Sequence, residues 1–231
     1  MILGFDTATA DTAVAITDGG EPVTQTVIGP GPDGRPAHGR ALLGAIEGAV
    51  GAAGGWDRIE RIAVGIGPGS FTGLRIGVST ARALTQARGL PLVGVLTTAA
   101  LSTGIAALPE ATRRDRLAIL DARRGEVFAS LDRGEGPSAP QVLPPEEIAG
   151  TFATERIAGA LAAGDGSIRF RPEIEAAGVE VLSDSSPAHR LSALHICTLG
   201  AEMAPGSAND LTPHYLRRPD AERWLERDNR N

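Results

Sequence analysis

Residues 61–88, RIAVGIGPGSFTGLRIGVSTARALTQAR, constrain the fold more than any other part of the chain. An apolar, β-branched run (61–66) reads as a buried strand, the Gly-Pro-Gly turn ends it, and Thr72 to about Arg88 reads as a helix. Gly73, Gly77 and Ala81 recur every four residues, so one edge of that helix is nearly smooth and can admit another element at short range. A strand feeding directly into a helix is the elementary unit of a mixed α/β layer.

The flanking segments extend the pattern. Residues 1–28 read as three short strands, ILGFDT, TAVAIT and EPVTQTVI, with Asp18-Gly19-Gly20 as the hairpin turn between the second and third. The Pro/Gly loop 29–36 leads into a helix over 37–53, whose Leu42, Ala45, Ile46, Ala49, Val50 and Ala53 share one face. A strand at 91–95 and a helix from Thr97 follow, then a hairpin formed by RLAILD and EVFASLD around Ala122-Arg123-Arg124-Gly125. SAPQVLPPEE reads as a surface connection into a short helix, 155–166 as strand or helix, 168–177 as a helix, VEVL as a strand and 187–204 as a long helix. No internal sequence repeat is found. The expected organisation is a lobe over 1–100, a smaller α/β lobe over 101–186, and a helix and tail over 187–218 returning to the first lobe. The final DNRN is expected to fray.

Composition removes several chemistries. Every one of the 22 basic residues is arginine, so neither a phosphate-loop lysine nor a Schiff-base lysine exists. A formal net charge of −6 argues against unaided nucleic-acid binding. The four histidines, His38, His189, His195 and His214, include no i, i+4 pair, so no metal site is expected. The single Cys197, in an apolar periodic setting, is expected to be a buried inert thiol. No apolar run reaches membrane-spanning length and the N-terminus lacks signal-peptide features, so a cytoplasmic protein is expected.

The glycine turn could be a phosphate cradle, a nucleophile turn or a packing device. Pro68 stands where a Gly-x-Ser-x-Gly elbow needs its first glycine, and the Gly-x-Gly-x-x-Gly spacing fails as well. There remain an anion contact at Ser70 and Thr72 and a helix cap with a tight seam. Asp6, Asp121 and Asp165 each read first as turn residues, and His38 as a helix-start residue rather than a base.

Several of these pieces occur together. ILGFDTAT, HGRALL, IAVGIGPGSFTGLRIGVSTARALTQ, ILDARRGEVF, GDG and PHYLRRPDA run in this order along nearly the whole chain, which closely resembles the TsaB (YeaZ) family. The resemblance implies the two-lobed actin-like, sugar-kinase and Hsp70 (ASKHA) fold with a reduced second lobe. It also implies a non-catalytic subunit that activates a TsaD-like catalytic paralogue for transfer of threonylcarbamoyl to N6 of adenosine 37 in tRNA. The implied partners are that paralogue, met through the first two helices, and a TsaE-like ATPase, with tRNA reached only through the complex and a weak homodimer when alone.

On that basis Leu42, Ile46 and Val50, with Gly73, Gly77 and Ala81, are the expected partner surface. No catalytic residue and no cofactor are expected in this chain; ATP and metal belong to the complex. The His-x-x-x-His pair of catalytic relatives is missing, Ala8 stands where nucleotide-binding relatives of the fold have glycine, and His38-Gly39 replaces a His-Ser pair. The competing readings are a stand-alone nucleotide-dependent kinase or ATPase of the same fold and, behind it, a metallopeptidase-like protein.

Overall fold

Alternation along the strands decides which element covers each side of the first sheet. In the computed structural model, which describes residues 1–152 and 157–217, β1 (Ile2–Asp6), β2 (Thr12–Asp18) and β3 (Glu21–Ile28) form an antiparallel meander. Gly19 and Gly20 make the hairpin turn with φ of 56° and 93°, a conformation side chains disfavour. Helix α1 (His38–Ala52) crosses over to β4 (Arg61–Gly67), which lies parallel to β1. Helix α2 (Phe71–Arg88) then leads to β5 (Leu92–Leu96), parallel to β4. The sheet order is β3-β2-β1-β4-β5.

Leu3, Phe5, Val14, Ile16, Ile62 and Val64 point to the side covered by α1 and α2, where they pack with Leu42, Ile46, Val50 and Ala81. Each such side chain contributes about 1.5–3 kcal/mol by leaving water. The other side of the sheet is lined by small residues, Ala13, Ala15 and Gly4, against which α7 (Ala193–Glu202) lies very close. A Cβ at Gly4 would fall 2.5 Å from Cys197 Sγ, so only glycine lets that helix seat. Cys197 is fully buried and burial pushes its thiol up to about 11, as suits an inert core residue.

The second sheet follows α3 (Thr97–Ala106), whose Ala100 and Leu101 pack between Val93 and Val95 of the first sheet and Ala118 and Leu120 of the second. Its strands are β6 (Arg116–Arg123), β7 (Glu126–Asp132), β8 (Gln141–Leu143), β9 (Leu161–Ala163) and β10 (Glu180–Val181). Between them lie α4 (Ile148–Thr151), α5 (Asp165–Arg169) and α6 (Arg171–Ala176). The order is β10-β9-β6-β7-β8, with β6, β7 and β8 antiparallel and β6, β9 and β10 parallel. This is the topology of the first sheet over again. The chain contains a structural duplication that no internal sequence repeat accompanies.

Other expectations are corrected in detail. The stretch read as a surface connection contains β8, paired to β7. The ambiguous 155–166 supplies β9, with residues 155–156 outside the described part, as is the fraying assigned to DNRN. The segment 168–177 is broken at Phe170 (φ −115°, ψ 32°) into the end of α5 and α6. The long helix over 187–204 is a single turn at Pro187–His189 followed by α7, because Ser192 accepts Leu194 N–H and starts a new helix.

Candidate functional site

The chemistry-bearing motifs converge on one cleft. Its volume is about 450 Å³, and its walls are Ala8–Ala10 after β1, Gly69–Thr72 at the start of α2, Leu120–Arg124 of the β6–β7 hairpin, Asp165, and His214–Arg217. The first two walls belong to the first sheet's layer and the next two to the second's.

The β1–β2 turn is held shut from behind. Asp6 is fully buried; its Oδ1 accepts Ala8 N–H at 2.6 Å and its Oδ2 accepts the Thr97 hydroxyl at 2.8 Å. The first bond is the Asx turn read from sequence. The Ala8 carbonyl in turn accepts Ser70 N–H at 2.7 Å, and a Cβ at Gly69 would fall 2.6 Å from the Ala8 methyl carbon. Ala8 and the helix start are therefore packed against each other. Thr7 donates its hydroxyl to Gly73 O at 2.7 Å, and His38 fixes the far side of the turn, with Thr12 Oγ1 at 2.8 Å and Thr9 O at 3.1 Å from its two ring nitrogens. Burial lowers the His38 pKa despite the Thr9 bond, so the ring stays neutral, donating to Thr9 and accepting from Thr12. His38 stands at the helix start as expected, and its ring makes it a positioning residue of the turn, a role the sequence does not indicate.

Burial also pushes the Asp6 carboxyl from 3.8 up to about 6, against the two hydrogen bonds that favour its charged form. The folded state thus keeps a proton that the unfolded chain has lost between about pH 3.8 and 6. Asp6 weakens the fold when ionised, and its contribution improves as pH falls through 6. The gap corresponds to about 3 kcal/mol. The unfolding free energy of the wild type minus that of Asp6→Asn is expected to fall by about this amount from pH 3.5 to pH 7 in urea titrations; a pH-independent difference would contradict it.

Across the cleft, Arg124 and Gly125 are the two central residues of the hairpin turn, with φ of 58° and 79°, and Arg123, the last residue of β6, has φ of 63°. Non-glycine residues in this region carry a steric cost of about 1–2 kcal/mol each. Arg123 is tied back to its own hairpin: Asp121 Oδ1 accepts its N–H at 2.8 Å and Asp121 Oδ2 lies 3.2 Å from its guanidinium and 2.8 Å from that of Arg169. Asp165 Oδ1 accepts Asp121 N–H at 2.9 Å. Burial raises the Asp165 carboxyl, the neighbouring Asp121 charge adding to it against that bond.

The tail closes the third side. His214 N–H donates to Ile66 O at 2.7 Å, Tyr215 stacks on Phe71 with centroids 5.0 Å apart, and Arg217 donates to Ala122 O at 3.0 Å and pairs with Glu126. Sequence reasoning missed these residues. In the sequence PHYLRRPDA carries only the family resemblance and the expected return of the tail to the first lobe, with nothing that marks a cleft wall.

Of the expected site residues, Ser70 and Thr72 are exposed at the cleft wall; Ser70 Oγ also accepts Gly73 N–H at 3.2 Å as the helix cap. The expected partner surface is corrected. Leu42, Ile46 and Val50 are 1%, 1% and 3% exposed and fill the chain's own core, because the apolar stripe of α1 is the one that covers the sheet. Gly73, Gly77 and Ala81 are also buried within the chain: a Cβ at Gly73 would lie 1.9 Å from Thr7 O and one at Gly77 2.5 Å from Thr7 Oγ1. The smooth edge of α2 admits the end of β1, not a foreign helix. Among the residues that the two helices leave exposed are Arg40, Leu43, Gly44, Glu47 and Gly48 on α1, and Thr72, Arg75, Ser79, Arg82 and Gln86 on α2. Among the described residues, no three His, Cys, Asp or Glu side chains are grouped so as to hold a metal ion.

Residues 34–156 match the family model described as TsaD: tRNA N6-adenosine threonylcarbamoyltransferase. The tRNA threonylcarbamoyladenosine biosynthesis protein TsaB of Escherichia coli K12 is 35% identical over 154 residues, 64% of each chain, so the match spans a little under two thirds of that relative's length. Among solved structures, YeaZ from Pseudomonas aeruginosa superposes with a TM-score of 0.75 at 25% identity over 93% of this chain and 99% of its own. A ROK hexokinase from Thermus thermophilus has a TM-score of 0.53 at 14% identity over 87% of this chain and 99% of its own, a likeness of fold alone. The fold is the actin-like, sugar-kinase and Hsp70 type, its two sheets flanking the cleft, and by the matched family model and these relatives the chain belongs to the TsaB/YeaZ family.

Proposed function

We propose that this chain is a non-catalytic subunit of a tRNA-modifying machinery, binding and activating a TsaD-like subunit that transfers a threonylcarbamoyl group to N6 of adenosine 37. The observation that carries the reading is the closed β1–β2 turn. Asp6 is fully buried with both oxygens committed to internal bonds, so the turn offers the cleft no free carboxylate to act on a reacting phosphate. The names of the relatives supply the pathway.

Docking is assigned to the exposed faces of α1 and α2. A TsaE-like ATPase joins the pair, ATP and metal are held by the complex, and tRNA is reached only there, since a chain of net charge −6 is a poor ligand for phosphates. Alone, the subunit forms a weak homodimer. Among the described residues no helix is long and apolar enough to cross a membrane, and the proposal places the chain in the cytoplasm.

Reconstitution tests this directly. The purified chain with tRNA, ATP and a threonylcarbamoyl donor should form no modified nucleoside by mass spectrometry, and adding the catalytic and ATPase subunits should give product at least about a hundredfold above the catalytic subunit without this chain. Product from the chain alone, or equal product without it, would sink the reading. The runner-up, a kinase or ATPase of the same fold, is favoured by the cleft itself; steady ATP turnover by the isolated chain, lost in Asp6→Asn, would establish it instead.

A further inference from the structure

The docking face assigned above has a charge pattern opposite to that of the whole molecule. Helix α2 carries Arg75, Arg82 and Arg88 and no carboxylate in its 18 residues, and α1 carries Arg40 against a single Glu47. The chain's formal net charge is −6. Arg88 lies over the Trp56 ring, 4.7 Å from its centroid, at the end of the helix. Arg75, Ser79, Arg82 and Gln86 follow one another at i, i+4, i+7 and i+11, which makes one exposed stripe.

Elsewhere Arg114, Arg116, Arg169, Arg171 and Arg190 each hold a carboxylate. Arg40, Arg75 and Arg82 hold none among the described residues. Beside this stripe α1 exposes Leu43 to 58%, and a Cβ built on Gly44 or Gly48 meets nothing within 4 Å. The layer thus offers a smooth, partly apolar strip bordered by positive charge that no carboxylate answers, Arg75 lying over the Phe71 ring 5.2 Å from its centroid.

Resting on the docking assignment of the proposed function, we infer that the partner is a helix pair carrying carboxylates opposite Arg75 and Arg82, and that these arginines select it over a second copy of this chain. A twofold contact is isologous, so crossing α2 on its own copy near Ser79 brings Arg75 up to the other copy's Arg82 and the reverse. Each copy can answer with Glu47 alone. Like charges driven together while losing water oppose association, and carboxylates in the same places turn the opposition into attraction. Discrimination between two partners for one face needs such a repulsive element as well as an attractive one. The two associations must then respond to salt in opposite senses: screening strengthens the homodimer and weakens the heterodimer.

Sedimentation velocity on the wild type, on Arg75→Glu/Arg82→Glu, and on their equimolar mixture tests this, each at about 50 mM and about 500 mM NaCl. The mixture is expected to associate about tenfold or more tightly than either protein alone at low salt, with the difference gone at high salt. Both positions are exposed, so thermal melts of the double variant should match the wild type. The catalytic TsaD-like subunit should bind the double variant about tenfold or more weakly than the wild type at low salt. Equal association in all three samples at both salts overturns the inference, as does catalytic-subunit binding indifferent to the two substitutions. Salt-sensitive binding of a tRNA transcript by the isolated wild type, lost in the double variant, overturns it in favour of a nucleic-acid face. A mixture that pairs as expected while the catalytic subunit ignores the wild type upholds the charge rule and refutes the proposed function.

Discussion

Ile46→Asp is expected to leave no folded protein at room temperature. Ile46 is 1% exposed and sits with Leu42 and Val50 in the cluster that includes Phe5, Val14 and Val64. The substitution forfeits about 2–3 kcal/mol of apolar burial and puts a carboxylate where no cation is among its packing partners, a further cost of several kcal/mol. Together these approach the whole stability of about 5–15 kcal/mol expected of such a chain. Ile46→Val, which only trims a methylene, should cost about 1 kcal/mol and melt cooperatively. On the other side of the same helix, Leu43→Asp should melt like the wild type. A cooperative, near-native melt of Ile46→Asp would show that α1 does not cover the sheet as described. The consequence for partner mapping is practical: loss of association in Ile46→Asp reports unfolding, whereas Leu43→Asp reports the surface.

Gly73→Ala should destabilise by about 3 kcal/mol or more, lowering the melting temperature by roughly 6–12 °C. The added Cβ would fall 1.9 Å from Thr7 O, and that atom cannot swing away because it is backbone. Nor is the helix free to retreat, since Thr7 Oγ1 donates to Gly73 O and Ala8 O accepts Ser70 N–H. Either β1 or the first turn of α2 must move, and both line or support the cleft. Gly48→Ala supplies the contrast. Its Cβ meets nothing within 4 Å, and alanine in a helix interior is better than glycine by about 1 kcal/mol, so this variant should melt higher than the wild type. Differential scanning calorimetry of the two variants checks both signs; a Gly73→Ala protein as stable as the wild type would mean that the seam between β1 and α2 is looser than its hydrogen bonds require.

These two positions also show what the sequence makes legible. The apolar spacing of Leu42, Ile46 and Val50 identified the buried face of α1, and the small residues at 73, 77 and 81 identified a place of close approach. Periodicity says which residues share a face; it does not say what the face meets. Sequence alone points both stripes at a partner, whereas each is used by the chain's own first sheet. The Asx turn at Asp6 was readable because its geometry is local, one side chain bonding two residues ahead. The duplication of topology was unreadable for the opposite reason. It resides in pairing between distant strands, and β8, β9 and β10, at three, three and two residues, are too short to carry an alternation. Proline at 187 and serine at 192 interrupt an apolar run that otherwise continues at helical spacing, so periodicity alone extends the last helix too far. The cleft itself assembles from segments far apart in the chain, and in the sequence only the family resemblance links their motifs.

The tie made by His214, Tyr215 and Arg217 has a meaning for how the protein is made. Arg217 bonds the carbonyl of Ala122, 95 positions earlier, and His214 reaches back to Ile66. A ribosome adding about 5–20 residues per second needs about 5–20 s to travel from the hairpin to the tie. By the end of that interval every strand of both sheets has been synthesised, while the third wall of the cleft does not yet exist. The nascent chain therefore passes through a stage in which its two halves are joined by α3 and the packing around it, with the hairpin arginines facing an open groove, and the finished cleft is a late product of translation rather than a property of either half.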